Sequence, residues 1–296
     1  MIYVIAGPTG SGKSALALKL AEEINGVIVN GDAFQVYKEM DIGTAKPSSE
    51  QRERIPHRLY DFVDLETDYN VFLYQAAARK IIATEKRPLI FVGGTGLYLR
   101  ATFFDYDFNP LPPVDMAPFE KLSADNRYQV LRDLDPITAA KLHPNNERRV
   151  LRAIEIALAS GENKSSLEAK QEHRLLYDVE FIGVDYDRNH LYELINLRVD
   201  RMIEQGLFAE ADQIFSRHSP LKHAAQAIGY HQILLGRAEK KSEAEIVEDI
   251  KKASRNYAKR QMTFFRHQLP MHWFKSWDEA YKYIIEERNK NGIYQD

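Results

Sequence analysis

Gly7-Pro8-Thr9-Gly10-Ser11-Gly12-Lys13-Ser14 carries residue types at a spacing suited to holding phosphate. Every fixed position of G-x-x-x-x-G-K-[ST] is filled. Successive glycines let backbone N–H groups converge on phosphate oxygens, and the N-terminus of a following helix adds positive potential. Lys13 adds a full charge, and the Ser14 hydroxyl can ligate Mg²⁺. The chemistry specified is the binding of a di- or triphosphate. Which one is bound, and what happens to it, is left open. A glycine turn that merely joins strand to helix is the bland alternative.

Two further loops hold candidates. Asp32 is followed by Gln35-Val36-Tyr37 and Asp41-Ile42-Gly43-Thr44-Ala45-Lys46-Pro47, and Thr95 sits within Gly93-Gly94-Thr95-Gly96. A nucleoside triphosphate hydrolase normally follows its third strand with an acidic residue that serves Mg²⁺. Here glycines follow instead, and the nearest carboxylate is Asp32, placed where an acceptor group or a metal could sit. For a lone aspartate after a strand the plain reading is a turn or cap residue, and for Thr95 a hydroxyl bonded within its own turn.

The flanking patterns say what positions these residues. Ile2–Ala6, Gly26–Asn30 and Pro88–Val92 read as buried strands. Ala15–Glu23, Val71–Thr84 and a helix opening at Leu97 alternate with them, as in a parallel α/β sheet. Ligands of such sheets collect at the carboxyl ends of the strands, so the loops 7–14, 31–37 and 93–98 are expected to face one site. Residues 105–113 read as a linker, and 114–166 as an all-helical insertion. Val179–Asp185 restores a strand, followed by helices over 188–205, 208–215, 224–235 and 242–268, with Gly206 and Gly236 as stop signals. The expected organisation is a catalytic core over 1–113 and 167–296, with the inserted domain at 114–166.

The chain has 296 residues, no cysteine and a formal net charge of −3. A disulfide framework, a zinc ribbon and a thiol nucleophile are excluded. The charge argues against bulk coating of nucleic acid but leaves room for local basic grooves, such as Arg148, Arg149 and Arg152 on one helix and Lys252, Arg255, Lys259 and Arg266 on another. A solvated helix face is the usual fate of such charges. No apolar run is long enough to span a bilayer, and the N-terminus does not read as a signal peptide, so a cytoplasmic protein is expected.

Taken together, the phosphate loop, Asp32 with Gln35-Val36-Tyr37, and Met40-Asp41-Ile42-Gly43-Thr44-Ala45-Lys46-Pro47 resemble the tRNA dimethylallyltransferase family, the isopentenyltransferases. The resemblance continues through Pro56-His57, Val92-Gly93-Gly94-Thr95-Gly96-Leu97-Tyr98 and His143-Pro144-Asn145-Asn146. It runs on into Arg148-Arg149, Ala227-Ile228-Gly229-Tyr230 and Lys259-Arg260-Gln261. It spans almost the whole chain, in order. One position departs: Ala33 stands where the family usually has serine, which removes a hydroxyl from the substrate pocket. The zinc-binding extension of eukaryotic relatives has no counterpart, as expected of a bacterial-type member.

The resemblance implies a P-loop NTPase-like parallel sheet flanked by helices, with a helical domain inserted. It implies transfer of a dimethylallyl group from dimethylallyl diphosphate to N6 of an adenine beside the anticodon of tRNA, with Mg²⁺ as cofactor. Gly7 to Ser14 and Arg198 are then the diphosphate contacts, with a surface salt bridge as the plainer reading of Arg198. Asp32, Thr95 and Lys13 are the catalytic residues, and Ser14 and Asp32 the metal ligands. The tRNA contacts are Asp32, Ala33, Phe34, Gln35, Thr95, Arg148, Arg149, Arg152, Gly229, Tyr230, Lys259, Arg260 and Arg266, with Gln35 a candidate reader of the base edge. A monomer is expected. The rival is a P-loop small-molecule or nucleotide kinase, and a non-enzymatic RNA- or nucleotide-binding switch is a further alternative.

Overall fold

Strand β1 (Ile2–Ala6) lies between β4 (Leu89–Gly93) and β5 (Val179–Val184), and all five of its residues are buried. A strand covered on both faces needs a continuous apolar run, and Ile-Tyr-Val-Ile-Ala supplies one. Around this centre a six-stranded parallel sheet runs in the order β3-β2-β4-β1-β5-β6. The outer strands are β2 (Val27–Asn30), β3 (His57–Arg58) and β6 (Met271–Phe274). The register places Val4 opposite Phe91 on one side and Phe181 on the other. The Phe103 ring meets Phe91 and Phe181 edge-on, at 4.9 and 5.6 Å between centroids.

The fold comes from a computed structural model that describes residues 1–106, 108, 112–161, 165–166, 172–218, 221 and 223–290. Its helices in chain order begin with α1 (Lys13–Glu23), α2 (Ser49–Arg54), α3 (Val71–Thr84) and α4 (Gly96–Phe103). Next come α5 (Ala117–Glu120), α6 (Ala124–Leu134), α7 (Pro136–Lys141) and α8 (Glu147–Ser160). The last five are α9 (Arg188–Glu204), α10 (Leu207–Arg217), α11 (Tyr230–Ala238), α12 (Glu243–Gln268) and α13 (Trp277–Lys290).

The chain divides into two compact units, Met1–Phe103 with Tyr177–Asp296, and Phe104–Leu176. The second unit is wider than 114–166 because its ends are joined: Phe104 pairs with Leu175, and the Asp105 N–H donates to the Arg174 carbonyl at 3.0 Å. Among the described residues, α6, α7 and α8 bury Leu131, Ala139, Val150, Ala153 and Ile154 against one another, with Phe119 of α5 packed alongside. Arg127, 5% exposed, ties their ends by donating to the carbonyls of Phe119, Glu120 and Leu122 and pairing with Glu147 at 2.7 Å. Several expected segments lie outside the described residues: 107 and 109–111 of the linker, 162–164 of the insertion and 167–171 where the core was to resume.

Two expectations about helices are corrected. The helix expected over 224–235 is broken into a 3₁₀ turn at Ala224–Gln226 and α11, because Gly229 turns left-handed at φ 98°. Gly236 does not stop a helix but lies inside α11. A Cβ there would stand 2.4 Å from Ile246 Cγ1, so the missing side chain lets α12 pack close.

Candidate active site

The loops after β1, β2 and β4 open at one end of the sheet. In the first, Gly10 and Gly12 take φ of 79° and 81°, a left-handed conformation that side chains oppose, and Gly12 caps α1. Lys13 folds back over the loop and donates to the Pro8 carbonyl at 3.2 Å. Its outer side is closed by the protein itself: Trp277 Nε1 and the Tyr186 hydroxyl both donate to the Ser11 carbonyl.

The second and third loops lie against each other. A Cβ on Gly93 would come within 2.0 Å of the Gly31 oxygen, so only glycine permits this approach. The Thr95 N–H donates to Gly31 O at 3.1 Å, and Thr95 Oγ1 accepts from the Ala33 N–H at 3.0 Å. Asp32 is held from both sides. Fully buried Asn30 accepts from the Asp32 N–H at 2.8 Å and donates to its carbonyl at 2.9 Å. The Asp32 side chain forms an Asx turn, Oδ1 accepting from the Phe34 N–H at 2.9 Å. The plain reading of Asp32 as a turn residue is therefore present and compatible with chemistry, since the turn engages Oδ1 and no hydrogen bond is made by Oδ2 among the described residues. The plain reading of Thr95 is not, because its hydroxyl bonds the neighbouring loop and not its own turn. The phenols of Tyr60, Tyr98 and Tyr257 are held protonated, first by burial and further by the Asp32 charge. The Tyr257 phenol also lies against Thr95 and Gln261.

Arg198, on α9, reaches this cleft and donates to the Thr44 carbonyl at 3.4 Å. Burial pushes Lys13 down to about 8; the nearby Arg198 guanidinium adds to this and Asp32 opposes it. Arg198 is likewise lowered by burial, with Asp32 opposing. Two desolvated cations thus face one carboxylate, an imbalance that a polyanionic ligand corrects. Among the described residues, no three His, Cys, Asp or Glu gather to hold a metal by themselves. Ser14, exposed at the start of α1, and Asp32 offer one hydroxyl and one carboxylate. That sparse oxygen set suits Mg²⁺, which keeps most of its coordination sphere for substrate oxygens and water.

Sequence reasoning missed Gln261 as a site residue. From α12, 5% exposed, its Oε1 accepts from the Thr9 N–H at 3.0 Å and its Nε2 donates to the Gly94 carbonyl at 2.8 Å. One amide therefore joins the first and third loops across more than 160 residues of sequence. The available signals were its place in Lys259-Arg260-Gln261, one of the stretches that carry the family resemblance, and that a glutamine stands among exposed basic residues on a long helix.

Other expected contacts are corrected. Gln35 does not present its amide nitrogen to a base, because Nε2 donates to the carbonyls of Thr44 and Ala45 at 2.9 and 3.2 Å. Gly229 and Tyr230 are buried, and the Tyr230 hydroxyl bonds Glu210 and the Gly43 N–H, so neither of these two residues presents a surface to RNA. Arg255 is bound to Asn196 at 2.6 Å, and Arg266 pairs with Asp185. Lys259 and Arg260 are exposed on α12, while Arg148, Arg149 and Arg152 are exposed on α8 of the other unit, with Arg152 paired to Glu155 at 2.7 Å. Ala33 and Phe34 stand half-buried beside Asp32.

A parallel α/β sheet with a glycine-rich phosphate loop, two cations and a fixed carboxylate at its carboxyl edge defines an enzyme of the P-loop class that binds a phosphorylated substrate. The chain belongs to the IPP transferase family, whose model matches residues 35–268. It is 40% identical over 297 residues to the tRNA dimethylallyltransferase of Anoxybacillus flavithermus, covering 99% of this chain and 94% of that protein. The crystal structure of tRNA delta(2)-isopentenylpyrophosphate transferase from Staphylococcus epidermidis superposes with a TM-score of 0.72 at 35% identity, over 98% of this chain and 99% of that one. A eukaryotic dimethylallyltransferase acting on tRNA gives a TM-score of 0.78 at 29% identity, over 92% of this chain and 73% of that one.

Proposed function

We propose that this protein transfers a dimethylallyl group from dimethylallyl diphosphate to N6 of an adenine next to the anticodon of tRNA, releasing diphosphate. Family membership and the names of its relatives support the reaction. One observation supports the assignment of roles: Lys13, at the end of the phosphate loop, and Arg198 are both buried and close enough to Asp32 to feel its charge. A kinase is not favoured, since the relatives of this chain are named dimethylallyltransferases and β4 runs into glycines rather than a carboxylate.

In the proposed reaction the C1–O bond of the donor breaks as an N6–C1 bond forms, and one N6 proton leaves. The amine lone pair is delocalised into the purine, so attack requires a base within hydrogen-bond reach. Asp32 Oδ2 is that base, aimed by Asn30 and the Asx turn. Lys13, the loop amides and Arg198 stabilise charge developing on the departing diphosphate, the kind of contribution that is usually the largest in such sites. Ser14 and Asp32 would hold Mg²⁺, which supplies further neutralisation of that leaving group. Thr95 holds the backbone after Asp32 and lines the acceptor side.

A stacked adenine must leave its stack to present N6. Exposed Arg148, Arg149, Arg152, Lys259 and Arg260 are the proposed phosphate contacts of the anticodon stem-loop. No helix among the described residues is long and apolar enough to cross a membrane. A cytoplasmic monomer is the form proposed to act. The test is incubation with labelled dimethylallyl diphosphate and tRNA, without nucleotide, followed by mass analysis of the nucleosides. Label on an N6-modified adenosine is expected. Unlabelled RNA, with ADP formed when ATP is supplied, would overturn the reading.

A further inference from the structure

We propose that Glu210 is a positioning residue for prenyl transfer, aiming Arg198 at the diphosphate by fixing the loop Asp41–Ala45. Glu210 lies on α10, distant in sequence from the phosphate loop, and touches none of the reacting groups. Its carboxylate collects backbone donors instead. Oε2 accepts from the Asp41 N–H at 3.1 Å and the Ile42 N–H at 2.9 Å, and Oε1 from the Gly43 N–H at 3.2 Å. The Tyr230 hydroxyl donates to Oε1 and accepts from the Gly43 N–H at 3.2 Å. Three successive N–H groups around one anion form a nest, here filled by the protein's own carboxylate. Gly43 makes the closure possible: a Cβ would stand 2.4 Å from the Tyr230 ring.

What this latch holds leads into the cleft. The Thr44 hydroxyl donates back to the Met40 carbonyl at 2.5 Å, closing the turn, and Lys46 pins its far end through Asp41 at 2.8 Å and Asp61 at 2.7 Å. The Thr44 carbonyl then accepts from Gln35 Nε2 and from the Arg198 guanidinium. No carboxylate pairs with Arg198 among the described residues, so the Thr44 carbonyl is its hydrogen-bonding anchor. Moving the loop moves the anchor, and with it the cation facing the leaving group. An accurately placed donor is worth most when charge develops, and small misplacements are costly.

The inference rests on the reading of Arg198 as a diphosphate contact, and a double-mutant cycle separates the two. Glu210→Gln keeps the shape but turns an acceptor oxygen into an N–H₂ facing N–H groups. Expected for Glu210→Gln alone is a loss of about tenfold in kcat/KM for dimethylallyl diphosphate, the scale of one charge-assisted hydrogen bond. The Kd for tRNA should stay unchanged. In an Arg198→Ala background the same substitution should change kcat/KM less than about twofold, because the anchor no longer carries a cation. Equal losses in both backgrounds would reduce Glu210 to a stabilising contact and overturn the proposal. If Arg198→Ala leaves donor kinetics intact, the reading of Arg198 fails and the proposal falls with it. Tyr230→Phe removes one partner of Glu210 while keeping the ring, and should shift the same parameter in the same direction, by less. It decides the matter if Glu210→Gln does not fold, with an unchanged kcat/KM counting against the latch.

Discussion

In the proposed function the phosphate cleft and the exposed arginines of the Phe104–Leu176 unit both offer cations to anions, yet they are built by opposite means. In the cleft, Lys13 and Arg198 are desolvated and their surroundings are immobilised by Asn30, Gln261 and the Glu210 latch. On α8, Arg148, Arg149 and Arg152 stand in solvent, with Arg152 in a surface pair of a kind that contributes little. The first arrangement is unfavourable until a ligand arrives and then gives a strong, geometrically defined interaction. The second gives a weak, salt-screened attraction summed over many phosphates. Catalysis needs the first, and holding a long polyanion needs only the second.

Breaking the cleft should have the largest effect. Lys13→Ala is expected to lower kcat/KM for dimethylallyl diphosphate by about 10³-fold, with little change in the Kd for tRNA, measured by steady-state kinetics and filter binding. Because burial pushes Lys13 down to about 8, it is half charged there, nearly fully charged a unit below and nearly neutral a unit above. Donor affinity should therefore be flat from pH 6 to about 7.5 and weaken as pH rises through about 8. Lys13→Ala should abolish that dependence. The same burial penalises the folded state below pH 8, since the unfolded chain keeps the lysine charged to higher pH, so Lys13→Met should raise Tm at pH 7 while destroying turnover.

A smaller effect is expected at the support. Gln261→Leu fills the same volume but leaves the Thr9 N–H and the Gly94 carbonyl unpaired. A fall of about 10- to 100-fold in kcat/KM for the donor is expected, with far-UV circular dichroism unchanged. The smallest effect belongs to the second region. Arg149→Ala with Arg152→Ala should leave donor kinetics intact, weaken tRNA binding by several-fold, and reduce the slope of log K against log salt by about one for each phosphate no longer neutralised. A change in donor kinetics from that pair, or a flat salt dependence in the parent protein, would erase the distinction between the two regions.

What could be read without coordinates divides along the same line. The phosphate loop, Asp32 and Thr95 lie within short stretches whose glycines and strand flanks announce themselves, and β1, β2, β4 and β5 are apolar runs. The supports are not local. Gln261, Glu210 and Trp277 act across 160 residues or more; nothing in the neighbours of Glu210 and Trp277 marks them, and the Lys259-Arg260-Gln261 stretch drew attention to its cations rather than to the amide. Tyr230 misled for a related reason: inside a conspicuous Ala-Ile-Gly-Tyr run, its hydroxyl turns inward to Glu210. Strand β6 and the two-residue β3 escaped notice because Met-His-Trp-Phe and His-Arg are too short to establish a pattern and hold no β-branched residue. Gly236 looked like a stop because a close helix–helix contact and a helix end call for the same residue.

The proton acceptor can be tested apart from both regions' binding roles. Single-turnover transfer of labelled dimethylallyl to saturating tRNA, with Asp32→Ala against the parent protein, isolates it. A rate lower by about 10²- to 10⁴-fold, with the Kd for tRNA within about twofold of the parent's, is the predicted outcome. Transfer at the parent's rate would contradict Asp32 as the base.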